Sequence, residues 1–498
     1  MPGTVPARCR LGRAIRKDKG MERLKLTGRV LPKHSTEISH SKIGLGFEKL
    51  DRGVFDPNKA YDKIAALGVK WIRLQSGWLR CEKERGVYDF EWLDDIVDNL
   101  IRRGMKPWLN LSYGNPLYTP RAAVFFGAVG CPPINSDDEW TGWLNYVRAL
   151  VTHFKGRITH YEIWNEPDIG GRWRRATPEE DKGAVAGEYA HFCNVTADAI
   201  HEANPDAKAL GFGIAYLHKL DYVNEGLSCG MLDHIDAITF HSYSASDEVR
   251  PQRIRDIKKL CRAHGRDIEI IQGETGCQSR SDGSGALKGM AWTPEKQVKH
   301  QLRNMIIDLG EDVGFTSYFS TVDMIEALHG IVGDKASYLD YGYFGVLGAE
   351  FDEDGVSTGD YTPKPSYYSL QTLASVFAED FEPAELPIVM RTLKSDRVAG
   401  EDCQDRTVIT YGFRKPNGSA ALAYWNAVPL LTNTYEGTVS FACYTLTGAL
   451  RLVDMATGAV YELPESMVEP IPGGGVLLKN IPITDSPMLL TFGDFADM

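Results

Sequence analysis

Apolar side chains between residues 60 and 380 recur in blocks: a stripe at helical spacing, a glycine, then a short run at strand spacing. Tyr61, Ile64 and Ala65 share one helical face, Gly68 supplies the left-handed stop, and residues 69–74 read as a strand. Trp92, Leu93, Ile96, Val97 and Leu100, then Gly104, then residues 106–111 repeat the unit. In the third block Ser136 and Glu139 form a capping box. Trp140, Trp143, Leu144, Val147, Leu150 and Val151 line one face, and Gly156 stops the helix before a strand that starts at Ile158. Such units in succession imply a parallel sheet with right-handed returns. Farther on, Thr177-Pro178-Glu179-Glu180 is expected to open a fourth helix, and residues 207–212 and 235–240 to be the fifth and sixth strands. Ile254, Ile257, Leu260 and Cys261 make a helix stopped by Gly265, which leads into a seventh strand at 268–272. Thr293-Pro294 opens a helix that Gly310 stops, residues 313–319 are the eighth strand, and residues 366–377 close the last helix. With residues 43–47 as the first strand, ending in Glu48, the pattern predicts an α/β fold, a (β/α)8 TIM barrel.

From about Glu382 the period changes to two. Short strands at 408–411, 420–425, 439–444, 450–453, 460–463, 476–478 and 488–492 alternate with turns such as Lys415-Pro416-Asn417-Gly418, which predicts an accessory all-β sandwich of about seven strands. Residues 22–40 also alternate but precede the first barrel strand, so they are expected to complete the sandwich. The expected division is a disordered tail over 1–21, the joining strand over 22–40, the catalytic barrel over 41–381 and the β-sandwich over 382–498. The stretch 321–364 is too long for a simple connection and is expected to fold over the barrel mouth.

Composition narrows the chemistry. A net charge of −12 argues against nucleic acid, whose binding is driven by Lys and Arg on phosphate. No run of apolar residues is long enough to span a membrane. The nine cysteines are odd in number and scattered, with no Cys-x-x-Cys spacing, which suits a reducing compartment without disulfides or zinc. Residues 1–20 are basic with no apolar segment behind them, so a secretory signal is not expected and a cytoplasmic location is. No metal or cofactor motif is present: His201-Glu202 lacks the second His, and Gly44-x-Gly46 and Gly211-x-Gly213 lack the third Gly of a dinucleotide loop. A homo-oligomer is compatible with the sequence.

Two stretches carry the candidate chemistry. The run Tyr161-Glu162-Ile163-Trp164-Asn165-Glu166-Pro167 ends a strand, and Pro167 is expected to break the ladder and hold Glu166 extended. Ile268-Glu269-Ile270-Ile271-Gln272 is followed at once by Gly273-Glu274-Thr275-Gly276. Glu166 and Glu274 thus stand past the ends of the fourth and seventh strands, which lie roughly opposite in a barrel. Two carboxylates facing each other there are the minimum equipment for hydrolysing a glycosidic bond; a separation near ~5 Å makes one of them a nucleophile and gives retention. Asn165 is placed to hold a sugar hydroxyl and Tyr243 to hydrogen-bond the nucleophile. Arg73, His241, Glu48, Trp78, Tyr113 and Trp173, near strand ends or in mouth loops, are further candidates for substrate binding. Cys277 reads as a small apolar filler. Arg172, Arg174 and Arg175 follow the Glu166 strand, and one of them is a candidate reader of a uronic acid carboxylate.

Ile163-Trp164-Asn165-Glu166-Pro167, His241-Ser242-Tyr243 and Gln272-Gly273-Glu274-Thr275-Gly276 resemble the strand four, six and seven signatures of clan A glycoside hydrolases. Within that clan the chain is most similar to family 39, the β-xylosidase and related group, over roughly residues 40–380. Pro363-Lys364-Pro365-Ser366-Tyr367-Tyr368 and the C-terminal β-domain also look like that group. The resemblance implies Glu166 as acid/base and Glu274 as nucleophile, with Arg73, Asn165 and Tyr243 supporting them and a saccharide as substrate. One departure stands out: many clan members end strand eight in Trp, whereas here it ends Ser317-Tyr318-Phe319-Ser320. The alternatives are a hydrolase of uronides or α-L-arabinosides, a transglycosylase, and a non-catalytic carbohydrate-binding barrel.

Overall fold

A computed structural model describes residues 21–175, 177–396, 407–432 and 435–498. The basic stretch 1–20, Cys9 and Cys403 lie outside them. Eight parallel strands close a barrel: β2 (Ile43–Gly46), β3 (Trp71–Gln75), β4 (Lys106–Leu111), β5 (His160–Ile163), β6 (Lys208–Ile214), β7 (Ala237–His241), β8 (Glu269–Thr275) and β9 (Thr316–Tyr318). Around it run α1 (Tyr61–Ala65), the short α2 (Trp78–Cys81), α3 (Glu91–Arg102), α4 (Asp137–His153), α5 (Ala186–Ala203), α6 (Leu220–Ser228), α7 (Arg250–Ala263), α8 (Pro294–Gly310) and α9 (Pro365–Val376). Each of α3 and α4 buries its stripe, Leu93, Ile96, Val97 and Leu100 on the first and Trp143, Val147, Leu150 and Val151 on the second. No described helix is long and apolar enough to cross a membrane.

Two local expectations need correction. Thr177 and Glu180 do form a capping box, but it closes a 3-10 turn over Pro178–Glu180, and α5 starts only at Ala186. Gly183, at φ +79, turns the chain against the Asp168 carbonyl and ends any helix before that point. At Ser136 the cap is half a box: its side chain accepts from Glu139 N, while the Glu139 carboxylate takes Asn135 N–H at 2.8 Å instead of closing on Ser136. The helix α6 was not legible, because it is a short element between loops.

After β9 the chain makes two small hairpins, β10 (Met324–Ile325) with β11 (Tyr341–Gly342) and β12 (Leu347–Phe351) with β13 (Ser357–Pro363), before α9. The C-terminal unit is a pair of antiparallel sheets. Its strands are β14 (Glu382–Pro383), β15 (Ile388–Asp396), β16 (Val408–Arg414), β17 (Ala420–Asn426), β18 (Glu436–Cys443), β19 (Leu450–Asp454), β20 (Ala459–Glu462), β21 (Val468–Ile471), β22 (Gly475–Thr484) and β23 (Met488–Phe492). The N-terminal strand β1 (Lys25–Arg29) pairs with β20 at the edge of the seven-stranded sheet β1-β20-β19-β23-β17-β16-β14, and β15-β18-β22-β21 form the other. Only residues 25–29 of the stretch 22–40 are strand; residues 35–37 make a 3-10 turn.

The centre of the seven-stranded sheet, β17 and β23, is buried on both faces, which is why β17 carries no polar alternation. Leu422 and Tyr424 face the sandwich core with Val439, Phe441, Leu478, Ile481 and Leu490, whereas Ala421, Ala423 and Trp425 join the barrel core. The joint also carries charge. On α8, Lys299 Nζ donates to Thr432 O and Asp485 Oδ2 at 2.6 Å each. One turn on, Arg303 donates to the carbonyls of Asp485, Val428 and Asn426 at 2.7 to 3.2 Å. Both cations are buried, so these bonds replace hydration that they have lost.

Candidate active site

At the C-terminal mouth of the barrel a cavity of about 640 Å³ is lined by Glu48, Lys49, Arg52, Gln75, Tyr113, Asn165, Glu166, Arg172, Tyr243, Glu274, Phe319, Glu326, His329, Asp340 and Phe344, among others. Its floor is set by strand register. Gln75 on β3 lies beside Asn110 on β4, and Asn110 beside Glu162 on β5, so polar side chains of neighbouring strands meet in one layer. Arg73 is the hub. It is fully buried and its Nε donates to Glu162 Oε2 at 3.0 Å, its Nη2 to Asn165 Oδ1 at 2.8 Å, and its Nη1 to Glu48 Oε1 at 3.2 Å and Glu274 Oε2 at 2.7 Å.

Past β5 the backbone turns sharply. Trp164 and Glu166 have φ of +68 and +51, so Glu166 is left-handed and not extended as Pro167 led one to expect. Tertiary contacts override the pre-proline preference. Trp164 N donates to Leu111 O and Glu166 N to Gly213 O at 3.0 Å, while the Trp164 ring is buried against Trp143, Trp173 and Phe192. Such conformations cost about 1–3 kcal/mol each and persist only where the surroundings impose them.

The turn aims Glu166 at Glu274. An oxygen of each carboxylate and a ring nitrogen of His241 lie within 4.8 Å of one another. Tyr243 OH donates to Glu274 Oε1, and Arg73 donates to Glu274 Oε2, so both Glu274 oxygens meet a donor. His241 Nδ1 stands 3.2 Å from Glu166 Oε1 and 3.7 Å from Glu274 Oε2. Because Asn165 Oδ1 accepts from Arg73, its amide N–H group is left to donate into the cavity.

The electrostatics separate these groups. Burial disfavours a charged His241, but the Glu274 charge and the hydrogen bonds to Glu162 and Glu166 outweigh it and raise its pKa to about 10, so it is an imidazolium. Burial raises Glu162, yet Arg73 and His241 hold it at about 2. Glu166 also feels burial, but the His241 hydrogen bond and charge, then Arg172 and Arg73, keep it below the ordinary carboxyl value. Glu48 goes the other way: burial, offset only in part by Arg73, lifts it to about 7.

Of the residues singled out in the sequence, Glu48, Arg73, Tyr113, Asn165, Glu166, His241, Tyr243 and Glu274 come together here, with Arg73 and His241 beneath the cavity wall. Trp78 and Trp173 do not. Trp78 is fully buried behind β3, stacked on Tyr118 and Tyr146, with its Nε1 donating to Glu82 at 2.6 Å. Trp173 packs edge-on to Trp164 and donates to Glu188 at 3.1 Å. Both are large apolar side chains whose one polar atom finds a partner inside, so neither is a sugar platform. Cys277 is buried and its thiol is pushed up by burial, which fits a filler. Glu162, Asn110, Lys49 and Glu326 were missed. For Glu162 and Asn110 the signal was an acid and an amide on strands otherwise apolar; Lys49 and Glu326 sit in loops with none.

Replacing Tyr243 by Phe removes one of the two donors on Glu274 and is expected to lower kcat/KM on an aryl glycoside by roughly 10²-fold. Steady-state kinetics with little change in melting temperature would bear this out; undiminished turnover would show the hydroxyl idle.

Residues 58–272 match the family profile described as Glycosyl hydrolases family 39. A β-xylosidase of Geobacillus stearothermophilus is 24% identical over 132 residues, 25% of this chain and 24% of that protein. A β-xylosidase of Caldicellulosiruptor saccharolyticus is 29% identical over 127 residues, 23% of this chain and 26% of that protein. The chain thus spans about a quarter of the length of these curated relatives. Among solved structures, a family 39 glycoside hydrolase from Bacteroides cellulosilyticus WH2 superposes with a TM-score of 0.60 at 17% identity, over 91% of this chain and 80% of that one. A family 39 β-xylosidase from Caulobacter crescentus gives 0.53 at 17% identity, over 94% and 99%. These likenesses establish the shared fold.

Proposed function

We propose that this protein is a retaining β-glycosidase, β-xylosidase-like, that removes one terminal sugar, a reading supported by the match of residues 58–272 to the glycoside hydrolase family 39 profile. The observation that carries the reading is the approach of Glu166 and Glu274 to within 4.8 Å at the cavity floor. That gap leaves no room for a water between them, which favours double displacement over a single inverting step.

In the first half, Glu274 attacks the anomeric carbon while Glu166 gives its proton to the departing oxygen. In the second, Glu166 takes a proton from water, which breaks the glycosyl–enzyme ester with net retention. Arg73 and Tyr243 keep Glu274 oriented, and the free amide N–H of Asn165 suits the sugar 2-hydroxyl, whose hydrogen bonds strengthen in the transition state. Glu48 Oε2 and Glu326 Oε1 are buried without a partner, so they suit hydroxyl donors of the glycone. The wall around Glu326, His329, Asp340 and Phe344 supports a pocket over an open cleft. Hydrolysis of aryl β-D-xyloside, glucoside, galactoside, mannoside, glucuronide and α-L-arabinoside, with the first-formed anomer read by NMR, tests the reading. Retention with a neutral β-glycoside is expected, and inversion or inactivity across the panel would overturn it.

The pH profile tests the acid. Glu166 acts only when protonated, so kcat/KM falls as pH rises past the point where that proton is lost. The His241 imidazolium favours the ionised form. Changing His241 to Gln is therefore expected to raise the Glu166 proton affinity and move the alkaline limb of kcat/KM upward by up to about one unit. A limb that stays in place would show that His241 does not tune Glu166.

A further inference from the structure

Three arginines follow the strand that delivers Glu166, and the fold uses two of them internally. Arg174 donates to the Val129 carbonyl and lies 3.9 Å over the Phe125 ring. Arg175 pairs with Glu188 and donates to the Glu180 and Gly183 carbonyls. Arg172 is different. It lines the cavity, its side chain is 13% exposed, and its Nε is buried with no hydrogen-bond partner. Its ion-pair contact is Glu166 Oε2 at 3.4 Å, and among the described residues no acceptor takes a hydrogen bond from its guanidinium. The neighbouring cations are already engaged: Lys49 by Ile325 O and Glu326, Arg52 by Asp51 and Gln75. A largely buried guanidinium with unused donors is costly until something supplies acceptors, and its planar fork matches a carboxylate.

The position of Arg172 says which part of a substrate it would meet. Glu166 passes its proton to the bridging oxygen, so a group beside that carboxylate stands where the leaving group departs. The floor around Arg73 is already acidic, with Glu48, Glu162 and Glu274 on that one cation. A uronic glycone would lie against those carboxylates, whereas a neutral one offers them hydroxyls. Near Arg172, burial first and then the charges of Arg174, Arg172 and Lys288 lower the pKa of His329, opposed by Asp340.

We propose that Arg172 binds a carboxylate on the leaving-group side, so that the enzyme releases a neutral terminal sugar from a uronic acid. The inference rests on the retaining glycosidase reading and makes Arg172 a specificity-determining residue. The test compares 4-carboxyphenyl β-D-xyloside with its methyl ester, as substrates of the wild type and of Arg172→Gln, and as ligands of Glu274→Gln by titration calorimetry. The wild type is expected to favour the carboxylate by about tenfold in kcat/KM beyond any preference left in Arg172→Gln, and Glu274→Gln to bind it about tenfold more tightly. The preference should shrink as salt is added. Equal handling of the two compounds, or a preference that survives in Arg172→Gln, would overturn the proposal. Selective binding without hydrolysis of either compound would uphold it and remove the glycosidase reading instead.

Discussion

Changing Glu274 to Gln is expected to lower kcat/KM on an aryl β-xyloside by roughly 10⁴-fold or more while the protein stays folded. The amide keeps the volume of the carboxylate, so the packing under Tyr243 and Phe344 is conserved, but it cannot form the glycosyl ester. It also sets an amide between Tyr243 OH and Arg73 Nη1, both of which donate to the native side chain. Circular dichroism separates loss of chemistry from loss of fold. Glu274→Ala adds a stereochemical check: azide entering the vacated space should yield a glycosyl azide of inverted configuration. An azide adduct that retains configuration, or a Gln variant with near-native turnover, would place the nucleophile elsewhere.

Changing Arg73 to Met should be the most destabilising single substitution at the site, by roughly 3–5 kcal/mol at pH 7, because it leaves buried carboxylates without their cation. The sign with pH follows from Glu162. Its folded pKa, about 2, lies below the unfolded value of about 4.5, so the stability it contributes is present above pH 4.5 and is lost as pH falls through 2. The deficit of the variant should therefore be full at pH 7 and narrow below pH 4.5. Adding Glu162→Gln to Arg73→Met removes the most dependent of the stranded charges and should restore part of the melting temperature. A double variant no more stable than the single one would rule out this account.

Much of this architecture was legible because barrel helices and strands announce themselves by period. Gly68, Gly104 and Gly156 all take the positive φ that their role as stops requires. The two glutamates were legible because each ends an apolar run. The conformation of Glu166 was not, since Gly213 O and the aromatic packing of Trp164, distant in sequence, decide it. Nor could sequence separate Arg172 from Arg174 and Arg175, three like side chains whose roles depend on Val129, Phe125 and Glu188. Trp78 and Trp173 misled because an indole beside a strand end looks the same whether it faces sugar or core. Of the strand-eight end Ser317-Tyr318-Phe319-Ser320, Phe319 lines the cavity with Phe344, their ring centroids 5.3 Å apart.

The joint between barrel and sandwich has a consequence for how such a gene can change. Cutting the chain at residue 381 would strip Lys299 and Arg303 of every carbonyl they now reach and bare the facet covered by Ala421, Ala423 and Trp425. A shuffling event that exchanged the rear unit for another would have to rebuild one wall of the front unit in the same step. Duplication and recombination are therefore constrained to carry the pair as a single heritable block.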